Sequence, residues 1–223
     1  MKIFSKTKNA FFLRERFCFR KSTFLGLAFT LLLCVSYPLN AKSRFYVASQ
    51  YQVGKMILQK EDKLKRTIEG ASFSLGWEIN PTNYWFYSRY YFFMDYGNVM
   101  LNKATKAQAN MFTYGFGGDL IVEYNKNPLW VFALFYGMQI AENTWTISKY
   151  SANMIINDLD SIKGFSLKTS NFRMFGLVGF KFQTVLFHHD ASIEVGIKWP
   201  FAFEYGSPFV RNFSVFISHT FYL

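Results

Sequence analysis

Three groups of residues in this chain of 223 carry side chains able to do chemistry. His188, His189 and Asp190 are consecutive and offer imidazole and carboxylate groups for metal binding or proton transfer. Protein zinc sites need three or four well-placed ligands, and no further ligand lies near in sequence. That run reads as a solvated turn. Ser218 and His219 could serve a lipid-modifying enzyme, but neighbouring residues of a strand point to opposite sides. The segment Gly115-Phe116-Gly117-Gly118 has no following helix, which a phosphate-binding loop requires, so its glycines read as close packing. No catalytic residue, metal site or cofactor is expected.

The third group is larger. Glu78, Asp95, Asp119, Glu123 and Glu194, with Arg89, Arg173, Lys181 and Lys198, sit at regular places within alternating apolar segments. Ala71, Phe73, Leu75, Trp77 and Ile79 alternate with Ser72, Ser74, Gly76 and Glu78. Trp130, Phe132, Leu134, Tyr136, Met138 and Ile140 oppose Ala133, Gly137, Gln139 and Ala141. Similar stretches begin near Phe45, Tyr84, Phe112, Phe172, Ile193 and Phe213, making eight. Period 2 over ten or more residues marks strands with one apolar face.

The connections choose among β-architectures. They run roughly 55–68, 81–83, 97–109, 125–128, 143–169, 185–189 and 202–210, long and short in strict alternation. Eight antiparallel strands with short turns at one end and long loops at the other predict a transmembrane β-barrel of the outer-membrane type. The parity bearing charge then faces a lumen just wide enough for side chains. Charges there need partners, so an ion-pair network is expected, with Arg89 and Asp119 as its first pair. The alternative is a narrow porin, with the same charges lining an ion path. Trp77, Tyr84, Trp85, Tyr124 and Trp130 would girdle one rim, and Tyr96, Trp145 and Trp199 the other.

Composition agrees. Aromatic residues make up 21% of the chain, while the mean hydropathy is only +0.04. Disordered chains are poor in aromatics, and helical membrane proteins need apolar runs of about 20 residues. Residues 1–23 hold seven Lys and Arg against Glu15, and the apolar run Phe24–Val35 leads to Ala41. This is the pattern of a signal peptide, residues 1–41, cleaved before a barrel domain of 42–223. Cys18 and Cys34 would leave with it. Of the net charge of +11, the leader carries +6, so the excess is no sign of nucleic-acid binding. The remainder matches the long connections, above all Lys55, Lys60, Lys63, Lys65 and Arg66. Such a basic surface loop would face lipopolysaccharide phosphates, outer-membrane lipids or acidic host glycans.

Five segments resemble the Helicobacter outer membrane protein family, the Hop and Hor type adhesins and porins. They are Arg89–Gly97, Thr113–Asp119, Ala141–Trp145, Ile193–Pro200 and Arg211–Phe216, in the family's order. The resemblance implies an exported outer-membrane barrel, assembled by the barrel-assembly machinery, with exposed loops and a host glycan or protein as possible ligand. It departs from the family at Leu223, where an aromatic is usual, and at His219.

The mature protein is expected to begin at Lys42 and, unless boiled, to run ahead of its unfolded form on a gel. Equal migration of heated and unheated samples would count against a closed wall.

Overall fold

The computed structural model describes residues 41–58, 65–81, 85–102, 107–127, 129–147, 168–186, 189–201 and 209–223. Residues 1–40, most of the expected leader, lie outside them. The described residues form eight strands: β1 (Ala41–Leu58), β2 (Lys65–Pro81), β3 (Phe86–Asn102), β4 (Ala107–Lys126), β5 (Trp130–Ile147), β6 (Lys168–Leu186), β7 (His189–Pro200) and β8 (Phe209–Tyr222). Each pairs antiparallel with the next, and β8 closes on β1. Closure leaves no strand edge unpaired, which is what hydrocarbon requires of a spanning sheet.

Alternation sets the two faces. On β5, Phe132 and Tyr136 are exposed, while Ala133, Phe135 and Gly137 are buried. On β7, Ile193, Val195 and Ile197 point out, and Ser192, Glu194 and Lys198 point in. The outward rings pack across strands, as Phe45 does on Trp77 (5.3 Å), Phe92 on Phe116 (5.5 Å) and Phe132 on Phe180 (5.8 Å). An apolar outside around a charged inside inverts the pattern of a soluble barrel, and a continuous exposed apolar surface of this kind needs lipid to cover it.

Six strands are longer than the apolar pattern suggests, with 17–20 residues. The expected loops 55–68, 97–109 and 143–169 are therefore shorter, because their flanks belong to the strands. Lys55 lies on β1, and Lys65 and Arg66 on β2. Lys60 and Lys63 fall outside the described residues. The physical reason is a reversal of polarity near the loop end. There the alternation continues, but Glu142, Thr144 and Thr146 face out, while Asn143, Trp145 and Ile147 face in. Met56, Ile68, Val99, Leu101, Ala109, Met111, Trp145 and Ile147 form one buried cluster. Trp145, expected in the outer girdle, is only 1% exposed and belongs to that cluster. Trp77, Trp85, Tyr96, Tyr124 and Trp130 do face outward, and Tyr84 lies outside the described residues.

Single-tryptophan variants separate these positions. A protein keeping Trp77 alone should lose its fluorescence to lipids brominated in their acyl chains, whereas one keeping Trp145 alone should not. Quenching of Trp145 by those lipids would place it on the wall's outer face.

Candidate functional site in the barrel lumen

The inward charges collect in three clusters stacked along the lumen. Glu78 of β2 lies in the cluster nearest the short turns and is fully buried. Lys181 of β6 donates from Nζ to Glu78 Oε2 at 2.7 Å and to the Tyr87 hydroxyl at 2.9 Å. Arg44 donates to Glu78 and, at 2.6 Å, to Asp190 of β7. The Tyr222 hydroxyl donates to Glu78 Oε2 at 3.0 Å, and the Arg44 guanidinium lies 4.4 Å from the Tyr222 ring. Six strands thus meet at a floor around one carboxylate. Arg44 carries on the inward parity of Tyr46 and Ala48 and joins the lumen charges expected from the sequence. Asp190, expected in a solvated turn, instead opens β7 and holds Arg44.

Arg89 occupies the middle. Its Nε and Nη2 donate to Asp119 Oδ2 at 2.9 and 2.6 Å. Its Nη1 and Nη2 donate to Glu194 Oε1 and Oε2 at 2.5 and 3.0 Å. Asp119 stands directly opposite Arg89 on the next strand, but Glu194 reaches it from β7 across the lumen. Tyr91 donates to Asp119 Oδ1 at 3.0 Å and accepts from Gln139 Nε2 at 3.0 Å. The Tyr46, Phe135 and Tyr91 rings lie 5.4, 5.6 and 5.7 Å from the guanidinium. Gly137 gives Asp119 its room, since a Cβ there would collide with Oδ1.

The third cluster centres on Asp95, which accepts from Lys198 Nζ at 2.5 Å and Arg211 Nη1 at 3.2 Å. Arg211 also donates to Ser214 Oγ at 2.8 Å and to Gln52 Oε1, and its carbonyl accepts from Arg173 Nη1 at 3.5 Å. Sequence parity sends Arg211 outward with Phe213. A bulge overrides it: Asn212 and Phe213 both oppose Lys55, so Arg211 turns into the lumen. Glu123 is half-buried beside another register shift on β4, between Glu123 and Asn125.

The remaining candidates are simply placed. Ser218 is buried and donates to the Ser49 carbonyl at 3.2 Å, while His219 lies against Phe221 with ring centroids 4.3 Å apart on the other face. Among the described residues, no group of three His, Cys, Asp or Glu side chains is placed to hold a metal ion. Of the basic residues expected at the surface, Lys55 and Lys65 are exposed, but Arg66 is half-buried and donates from Nε to the Leu101 carbonyl at 3.0 Å.

Paired charges thus line the lumen of an eight-stranded wall whose outer face is apolar. The sequence pattern of the family described as Helicobacter outer membrane protein matches residues 72–223. The chain belongs to that family. It is accordingly a β-barrel of the bacterial outer membrane. No curated protein matches it. Among solved structures it is similar to Ail, the attachment invasion locus protein of Yersinia pestis, seen with the heparin analogue sucrose octasulfate. Identity is 11%, covering 82% of this chain and 99% of that one, with a TM-score of 0.47. Neisserial surface protein A is similar at 11% identity, covering 82% and 98%, with a TM-score of 0.46. The translocator domain of NalP from Neisseria meningitidis shares 8%, covering 90% and 95%, with a TM-score of 0.37.

Removing Arg89 strands two buried acids, and breaking a buried pair costs about 3–5 kcal/mol. Arg89→Ala should therefore lower the unfolding midpoint in detergent far more than Lys55→Ala on the exposed face. Equal midpoints would show that the pairing adds nothing.

Proposed function

We propose that this protein is a non-conducting outer-membrane barrel acting through the surface it turns outward, as an adhesin-like or structural surface protein. The filled lumen carries this reading. Three ion-paired clusters are stacked along it, and an apolar cluster lies beyond them at the loop end. A cavity beside Arg89, lined also by Tyr91, Phe93 and Glu194, measures about 20 Å³, room for about one water. Aqueous channels are found in barrels of about 16 strands, twice the number here. A narrow porin would need ions to cross layers whose cations already hold carboxylates at 2.5–2.7 Å.

By the general rule for such barrels, the short turns face the periplasm and the longer connections face outside. Lys55 and Lys65 are exposed toward the long-connection ends of β1 and β2, and their charge supports contact with lipopolysaccharide phosphates of the surrounding lipid. The longest connection, 148–167, contains Tyr150, Met154, Ile155, Ile156, Leu159, Ile162, Phe165 and Leu167. That many apolar residues suit contact with a host protein or glycan, and a solvated cap would not need them. Nothing in these groups favours catalysis or a cofactor.

Deleting 149–166 should leave the barrel assembled and silent in planar bilayers while reducing adhesion of cells that display it. Strong conductance, or adhesion equal to that of the intact protein, would overturn the proposal.

A further inference from the structure

Strand register lines the outward side chains of β2 to β6 into rows across the wall. One row is wholly apolar: Leu75, Phe92, Phe116, Ile140 and Met174, with Phe116 70% exposed. One step toward the loop end stand Phe73, Met94, Tyr114, Glu142 and Phe172. A further step brings Ala71, Tyr96, Phe112, Thr144 and Ser170. Glu142 carries the only charge in these two upper rows. Their polar groups are tied together. The Tyr114 hydroxyl donates to Glu142 Oε2 at 2.7 Å, Ser170 Oγ donates to Glu142 Oε1, and Thr144 Oγ1 lies 3.0 Å from Ser170 Oγ. The Phe112 and Tyr114 rings lie beside them with centroids 5.8 Å apart, and Tyr96 and Phe172 are exposed on either side. Nearer still to the loop end, Asn98 Nδ2 donates to Asn110 Oδ1 at 2.7 Å and to Gln108 Oε1 at 3.3 Å.

Successive rows lie about 7 Å apart along the strands, the spacing of alternate residues. The apolar row suits an acyl chain. The rows above it offer flat rings beside hydroxyl, carboxamide and carboxylate groups. A sugar matches that mixture, because its ring has an apolar C–H face and a hydroxylated edge whose O–H groups can donate to an acceptor such as Glu142. A phosphate does not match it, since phosphate is held by Lys or Arg and would meet a carboxylate here. A free glycan would use the upper rows alone. We propose that the outer face of β3 to β6 binds the saccharide head of the surrounding glycolipid, lipopolysaccharide, with an acyl chain of the same molecule on the apolar row. The wall of this outer-membrane barrel already meets lipid along its apolar face, and the upper rows continue that interface outward. The inference extends the lipid contact proposed for Lys55 and Lys65 from phosphate to sugar, and it rests on that reading for the identity of the lipid alone. It does not depend on what the long connections bind.

The test uses the mature protein folded in detergent, with bound lipid read by native mass spectrometry. Three probes separate the chemistries: lipopolysaccharide, a monoglucosyl diacylglycerol that has no phosphate, and phosphatidylglycerol, which has no sugar. Phe112→Ala combined with Tyr114→Ala should weaken binding of both sugar-bearing lipids about tenfold, the loss typical of an important aromatic contact, and leave phosphatidylglycerol unchanged. Glu142→Gln, which keeps the shape of the side chain, should weaken the same two lipids even if the double variant fails to fold. Lys55→Ala combined with Lys65→Ala should weaken lipopolysaccharide and phosphatidylglycerol and spare the glucosyl lipid, so a failure of the phosphate contact is told apart from a failure of the sugar contact. No binding of the glucosyl lipid by the intact protein, or aromatic and Glu142 variants that bind it like the parent, would overturn the inference. An equal loss of all three lipids in those variants would overturn it too. So would variants that keep their glycolipids and lose adhesion to host cells, a result that would assign this face to a host ligand.

Discussion

A charge that cannot reach water must find an opposite charge, and in this protein that rule operates inside a tube only a few side chains across. The eight-stranded wall brings its inward residues within reach of one another across the lumen. Glu194 therefore reaches Arg89, 105 residues earlier in the chain, and Lys181 reaches Glu78, 103 residues earlier. These pairs tie strands on opposite sides of the lumen to one another, and their side chains occupy much of its interior. Glycines at the wall are part of the same arrangement: Gly117 lies under the Tyr91 ring as Gly137 lies under Asp119, and a Cβ at either place would displace the network.

A second constraint acts on the outside of the same strands. Across the lipid the wall must show apolar side chains outward, so the polar ones turn inward. Beyond the lipid the preference reverses, and the strands reverse with it without losing register. On β5 the change falls between Ile140 and Glu142 on the outer face, and Trp145 and Ile147 then fill the interior. The strands β7 and β8, with 12 and 14 residues, are shorter than the six before them. The loop end is consequently uneven, with its polar outer wall built mainly on β1 to β6.

Much of this was legible in the sequence, and the misses have physical causes. Inward parity for Arg89, Asp119, Lys181 and Glu194 can be read directly, because the register shifts of β3 and β4 fall outside the stretches that carry Arg89 and Asp119. The pairing of Arg89 with Asp119 follows from adjacent strands, but its second partner depends on the barrel's width and stagger, which no local pattern records. Trp145 departs from its expected place in the outer girdle because the outward apolar signal stops before the strand does. Its inward role is visible only when Asn143, Trp145 and Ile147 are read as alternation of opposite sense. Arg211 was hidden by one extra residue opposite Lys55, and a bulge leaves no mark in an alternation count. Arg44 was within reach of the parity rule and lacked only a recognised partner.

The pairing of buried charge is best tested at Arg89 by comparing its removal alone with removal of the whole triad. Replacing a buried ion triad by apolar residues is often neutral or stabilising, whereas removing one partner strands the others. Unfolding in detergent should accordingly show Arg89→Met as strongly destabilised, and Arg89→Met combined with Asp119→Leu and Glu194→Met as restored nearly to the parent. A triple variant as unstable as the single one, or a single variant with the parent's stability, would contradict a lumen held together by its ion pairs.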